Sequence, residues 1–230
     1  MRSAFKWLGI GLLVLATAAL VAYLVYDEPR PTGTPGPGAE ALADKMLAAV
    51  DAAAWDTTAY VAWDFAGRQQ YRWYRDRDTV EVTWGDRRVL LHTETLTGVA
   101  FEGGLRQNGP RADELVAEAW VHFANDSFWL SAPFKVRDPG TERALVRTED
   151  GRDALLVTYG SGGVTPGDAY LWHLDDTGLP VAYDMWVSII PVGGVTATWE
   201  DYLALPSGAR VATRHEIAGA VTLPVDVTAE

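Results

Sequence analysis

Cysteine is absent from the 230 residues, which removes disulfides, thiolate zinc sites, thiol catalysis and acylation of a Cys as a membrane anchor. Histidine is scarce: His92, His122, His173 and His215 are the only four, and no pair has the i, i+2 or i, i+4 spacing of a local metal site. A zinc site assembled from distant strands stays open, but surface or satisfied histidines fit the spacing better. Of the four, His173, beside Trp172 and near Asp175, is the first to inspect. Positive charge is short as well, with 19 Lys and Arg against 31 Asp and Glu and a formal net charge of -12. Phosphate backbones and anionic lipid surfaces repel such a chain, so nucleic acid is a poor partner.

Catalytic motifs are also missing. Ser161 lies in Tyr159-Gly160-Ser161-Gly162-Gly163, which is not a G-x-S-x-G elbow and has no helix after it. The stretch lacks the Lys and helix of a phosphate loop, and its glycines read as an unusual backbone turn into Pro166-Gly167-Asp168. Asp175-Asp176 and Glu200-Asp201 could serve as glycosidase carboxylates or calcium ligands, yet solvation in turns and on strand surfaces explains them. Asn125-Asp126-Ser127 matches the N-glycosylation pattern and reads as a helix stop. No period of 20 to 50 residues repeats, and no cofactor is implied.

What is present begins with an uncharged run at 7–26, WLGIGLLVLATAALVAYLVY, long enough as a helix to span roughly 30 Å of hydrocarbon. Arg2 and Lys6 precede it and Asp27 and Glu28 follow. The positive-inside rule then leaves residues 1–6 in the cytoplasm and sends the rest outward, a single-pass inner-membrane anchor. A cleaved signal peptide is the competing reading, with Ala16-Thr17-Ala18 as the small-x-small site and a secreted or periplasmic product. Residues 27–38, DEPRPTGTPGPG, favour an extended spacer.

Residues 39–230 read as one β-rich extracytoplasmic domain. An amphipathic helix over 39–55 carries Leu42, Met46, Leu47 and Val50 on one face. Period-two alternation follows, with Val61, Trp63 and Phe65, then Tyr71 and Trp73, then Val80, Val82 and Trp84 facing one way. A second helix is predicted over 110–124, starting at Pro110 and carrying Leu115, Val116, Ala119, Trp120 and Phe123. Strands resume at 141–148, 153–159, 169–174, 180–188, 195–204 and 209–217, joined by turn-forming sequences such as Asp175-Asp176-Thr177-Gly178. Ten Trp, nine Tyr and six Phe exceed the needs of a core of this size. Trp63, Phe65, Tyr71, Trp73, Trp84, Trp172 and Trp199 are therefore candidates to line an apolar pocket, with plain core as the alternative.

Helix, antiparallel strands, an inserted helix and further strands make an order that resembles the lipoprotein-carrier fold of the bacterial periplasm, the LolA/LolB-like superfamily. The stretch Asn125-Asp126-Ser127-Phe128-Trp129-Leu130-Ser131-Ala132-Pro133-Phe134-Lys135, then Asp138-Pro139-Gly140 and Gly163-Val164-Thr165-Pro166, is similar to exported bacterial proteins with that fold. The resemblance implies an α+β domain: an antiparallel sheet curved into an incomplete barrel, helices on its concave side, preceded here by one transmembrane helix. It implies a lipid or acyl chain as cargo and names no reaction; the lack of a catalytic motif makes a non-enzymatic protein the expectation. The family's carriers are soluble or Cys-acylated, whereas a helix tether would hold this domain at the membrane and leave a sensor or relay role open. Two further readings remain: a protein-interaction module contacting an envelope partner through a strand edge, and a hydrolase.

Overall fold

The computed structural model describes residues 26–161 and 165–228. The apolar run 7–26 lies outside these except for Tyr26, as do Gly162 and Gly163 of the glycine-rich turn. Among the described residues no helix is long and apolar enough to cross a membrane.

The first predicted helix is two: α1 (Pro37–Ala49) and α2 (Ala52–Thr57). Asp51 separates them in the left-handed region at φ 54 and caps α2, its carboxylate accepting from the Ala54 amide at 3.1 Å. The alternating stretch forms β1 (Tyr60–Phe65), β2 (Gln69–Tyr74), β3 (Thr79–Trp84), β4 (Arg87–His92) and β5 (Thr97–Glu102), each antiparallel to its neighbour. In β1 and β3 every second residue is buried, as period two requires. The two-residue β6 (Leu105–Arg106) ends this half.

The inserted helix α3 (Pro110–Ser131) continues past the predicted stop at Ala124. Asn125-Asp126-Ser127 does not end it, because these polar groups are satisfied inside. The Tyr71 hydroxyl donates to Asp126 Oδ2 at 2.5 Å, Asn125 Nδ2 donates to Asp126 Oδ1 at 2.8 Å, and the Ser131 hydroxyl donates to the Ser127 carbonyl at 2.7 Å. Pro133 stops the helix, since it has no N–H to donate to the Trp129 carbonyl.

The second half comprises β7 (Thr141–Arg147), β8 (Asp153–Tyr159), β9 (Ala169–Leu174), β10 (Pro180–Trp186), β11 (Val195–Thr198), β14 (Arg214–Ile217) and β15 (Val221–Thr228). Between β11 and β14, β12 (Leu203–Ala204) and β13 (Arg210–Val211) form a separate ribbon. The strand predicted over 195–204 breaks where Asp201 takes φ 53, and that over 209–217 splits into β13 and β14. β15, interrupted by Pro224 and Asp226, carries too weak an alternation to be read from sequence, yet it joins the halves. It pairs with β1 (Phe65↔Val225) on one side and β14 (His215↔Leu223) on the other.

The result is one antiparallel sheet of order β6-β5-β4-β3-β2-β1-β15-β14-β11-β10-β9-β8-β7, with β6 and β7 as edges, so it does not close. Helices cover one face. Leu115, Ala119 and Phe123 of α3 are buried with the rings of β1–β3, while Ala39, Ala43 and Met46 of α1 are buried with those of β8–β11. Each large apolar side chain so buried contributes roughly 1.5–3 kcal/mol.

The segment expected as a spacer lies against the domain. Thr34 and Leu145 exchange backbone hydrogen bonds at 2.8 Å, Trp186 Nε1 donates to the Glu28 carbonyl at 2.7 Å, and the Gly193 amide donates to Asp27 Oδ1 at 2.8 Å. The approach is close enough that a Cβ at Gly33 would sit 2.6 Å from that of Ala144.

Candidate functional site

The covered face of the sheet holds all seven aromatic candidates, in two groups. Sheet register sets the first: Trp63 and Tyr71 are cross-strand partners with rings stacked 4.5 Å apart, and Phe123 of α3 meets the Trp73 ring at 5.1 Å. Phe65 and Trp84 are buried in the same cluster, and Trp73 packs against it half-buried. Trp172 and Trp199 lie in the second cluster, under α1 and the end of α3. Trp172 is the register partner of Tyr183, with rings 5.0 Å apart, and lies 5.1 Å from Trp199, which lies 4.5 Å from His215. Trp129 of α3 packs against both clusters and closes this cage, 5.1 Å from His215 and 5.8 Å from Tyr183. Sequence reasoning missed Trp129, Tyr183 and His215. Trp129 lay beyond the predicted helix end, and Tyr183 was legible in the alternation of β10.

The polar atoms of these rings separate the groups. In the first, Tyr71 donates to Asp126, and Trp84 Nε1 donates to Glu118 Oε1 at 3.1 Å. Burial pushes the Asp126 carboxyl above its ordinary range, opposed by the hydrogen bonds from Tyr71 and Asn125. Trp63 Nε1 and His122 Nε2 are buried without a hydrogen-bond partner among the described residues. In the second group the atoms buried without a partner among the described residues are Trp172 Nε1, Trp199 Nε1, His215 Nε2 and the Tyr159 hydroxyl. Each such atom costs roughly 1–3 kcal/mol when nothing replaces its water.

His215 is wholly buried, and its Nδ1–H donates to the Thr198 carbonyl at 2.9 Å. Burial pushes its pKa down to about 4, the carbonyls of Thr198 and Trp129 pulling weakly the other way. The ring is therefore neutral at pH 7, and Nε2 is a lone-pair acceptor with no donor. Two indole donors and one imidazole acceptor thus lie within one aromatic cage.

His173 is not part of the cage. One residue along β9 from Trp172, it points to the other face, where Nε2 lies 2.7 Å from Asp184 Oδ2. Burial would raise the Asp184 carboxyl, but His173 and the Thr196 hydroxyl hold it below its usual range. Among the described residues no three His, Asp or Glu side chains group as metal ligands. Asp175 accepts from the Thr177 and Leu179 amides in its turn, and Glu200 pairs with Arg214 at 2.8 Å. A surface depression of about 270 Å³ on the uncovered face of β1–β3 is bordered by Asp64, Arg72, Glu81 and Asp226. Its Glu81 is neutralised by Arg72 at 2.6 Å and Arg88 at 2.9 Å.

No family model and no curated protein matches the sequence. Solved structures similar in fold include a DUF1329 family protein from Desulfovibrio piger, 10% identical, covering 83% of this chain and 91% of that one, TM-score 0.38. A LolA superfamily protein from Nitrosomonas europaea is 13% identical over 81% and 91%, TM-score 0.36. A domain described as outer membrane lipoprotein-sorting, from Vibrio parahaemolyticus, is 9% identical over 82% and 93%, TM-score 0.37. The superfamily that the element order resembles is among these names.

Proposed function

We propose that this chain is a non-enzymatic envelope protein, attached to the membrane through residues 7–26, that takes up a lipid or similar apolar ligand on the covered face of its sheet. The observation that carries the reading is the cage of Trp129, Trp172, Tyr183, Trp199 and His215, with its buried, unpartnered Trp172 Nε1, Trp199 Nε1 and His215 Nε2. Rings supply apolar area with few rotamers to freeze, and indole N–H groups supply donors. An acyl ester or amide, apolar with a carbonyl acceptor, matches both.

Native mass spectrometry of the full chain from its source membrane, followed by lipid extraction, tests this. A reproducible one-to-one lipid adduct is the expected result. A clean apo mass, with no uptake of offered phospholipids or fatty acids, would overturn it.

The open edge favours a second reading, a protein-interaction module. β6 pairs with only two residues of β5, so among the described residues Thr97–Val99 have a strand partner on one side alone, and Leu105 is exposed at that edge. This reading predicts a specific crosslinked partner through β5 and no lipid.

A further inference from the structure

Residues 27–34 cross the outer face of the sheet's second half, the face away from the aromatic cage. At one end Thr34 and Leu145 exchange backbone hydrogen bonds at the β7 edge, and Gly33 sits over β7, where an added Cβ would meet Ala144 Cβ at 2.6 Å and Val146 Cγ2 at 3.1 Å. At the other end Trp186 Nε1 of β10 donates to the Glu28 carbonyl at 2.7 Å, the Glu28 amide donates to the Gly193 carbonyl at 3.2 Å, and Asp27 Oδ1 accepts from the Gly193 amide. Three strand spacings, roughly 14 Å, separate β7 from β10, and the five steps from Glu28 to Gly33 reach about 17 Å. The segment is thus drawn nearly straight over β8 and β9, and Pro29 and Pro31 keep it extended.

Beneath it lies an apolar strip. Alternation turns Val146 of β7, Ala154 and Leu156 of β8, and Ala169 and Leu171 of β9 outward, yet all five are buried together, with Trp186 packed against them. The helices cover the other face, so this strip is kept from water by its own members and by the segment stretched across it. On the inner side of the same strands, Leu155, Trp172 and Tyr183 belong to the cluster that holds the cage. β8 and β9 are apolar on both faces, as strands between two covers are. The outer cover is the weaker one: among the described residues its hydrogen bonds lie only at its two ends, at 27–28 and at 34. It can therefore come away without unpairing any two strands of the sheet.

We infer that residues 27–34 are a releasable strap that controls ligand entry into the cage. Fastened, the strap keeps Leu156 and Leu171 dry and holds β8 to β10 against the helices. Released, it wets the outer face of those strands, which then give way to an acyl chain on the inner one. The inference rests on the reading that the cage takes up a ligand, and the two claims are separable by experiment.

In this cysteine-free chain, Thr34→Cys with Leu145→Cys places a single thiol pair where the strap meets β7. Mutually hydrogen-bonded antiparallel partners have Cα atoms about 5.5 Å apart, within disulfide reach. The full chain, delipidated in detergent, is offered palmitoyl-oleoyl phosphatidylcholine, and the one-to-one adduct is followed with time by native mass spectrometry. Oxidation should slow its appearance by about tenfold or more, the factor that one large apolar side chain kept from water represents, and reduction should restore it. Trp186→Phe, which removes the indole donor to Glu28, should hasten uptake. Equal rates in the oxidised, reduced and Trp186→Phe chains would overturn the strap and leave the ligand reading standing. No adduct in any of them would overturn the ligand reading and the inference together. A thiol pair that does not oxidise would show that the segment does not lie on β7, and would overturn the inference as well.

Discussion

The two halves of the interior are built from the same rings and finished differently. In the half under α3, Tyr71 and Trp84 give their polar atoms to Asp126 and Glu118 of the covering helix. Trp63 Nε1 and His122 Nε2 of that half have no hydrogen-bond partner among the described residues, and in the half under α1 neither do Trp172, Trp199 and His215, where no carboxylate faces the rings. The cause lies in the helices. α3 turns carboxylates toward its rings, whereas α1 offers Ala39, Ala43 and Met46 and directs Glu40 and Asp44 to Arg143 and Arg137 at the surface. A core under an apolar helix has no side-chain acceptor for its indoles, so Trp172 and Trp199 keep their N–H groups without one among the described residues.

The largest effect expected is the one the halves share. Phe123→Ala and Trp172→Ala should each cost about 3–5 kcal/mol in urea unfolding, as truncations of buried rings do. A much smaller loss at Trp172 alone would make the contrast one of loose packing.

His215 sharpens the contrast through pH. Its unfolded pKa is near 6.5 and its folded value about 4, so between these the unfolded chain holds a proton the folded chain does not. Stability is complete above about pH 6.5 and falls by about 3 kcal/mol as pH drops toward 4. Asp126, with its pKa raised, works with the opposite sign, giving stability as it protonates. Unfolding of the parent and of His215→Gln across that range separates them: the difference should drain away on acidification. A constant difference would mean that His215 is not neutral in the fold.

Next come two swaps that remove one polar atom from each half. Tyr71→Phe should cost about 1.5–3 kcal/mol, because it strips a donor from a buried carboxylate. Trp199→Phe should cost less than about 1.5 kcal/mol, because removal of an unsatisfied N–H offsets part of the lost volume. Equal losses would erase the distinction between Tyr71, which has a carboxylate partner, and Trp199, which has none among the described residues. Smallest is Gly193→Ala, whose Cβ would meet the Glu28 carbonyl at 2.7 Å. It should cost about 1 kcal/mol and expose residues 27–34 to limited proteolysis.

Much of the fold was legible in local pattern. β1 to β3 followed from alternation of Val61, Trp63, Phe65 and their successors, and the start of α3 from Pro110 and its apolar stripe, whereas α1 begins at Pro37, inside the stretch expected as a spacer. The sequence hid what depends on distant partners. Asp126 looked like a helix stop because nothing local reveals that Tyr71 serves it. β15 was illegible because its pairing with both β1 and β14, not its own pattern, makes it a strand. The seven aromatic candidates do share the covered face, but their division into two clusters, and the place of Trp129 between them, follow from strand order alone. His215 read as an ordinary satisfied histidine; only the pairing of β14 with β15 and the end of α3 against it leave its Nε2 without a donor.

The most direct test of the central claim, that a ligand enters beneath α1 and not beneath the first half of α3, is tryptophan quenching by a brominated acyl lipid. Titrated into the full chain, the lipid should quench emission strongly. That quenching should fall in Trp172→Phe and Trp199→Phe and persist unchanged in Trp63→Phe and Trp84→Phe. Quenching lost in the second pair instead, or absent from the parent chain, would contradict the account.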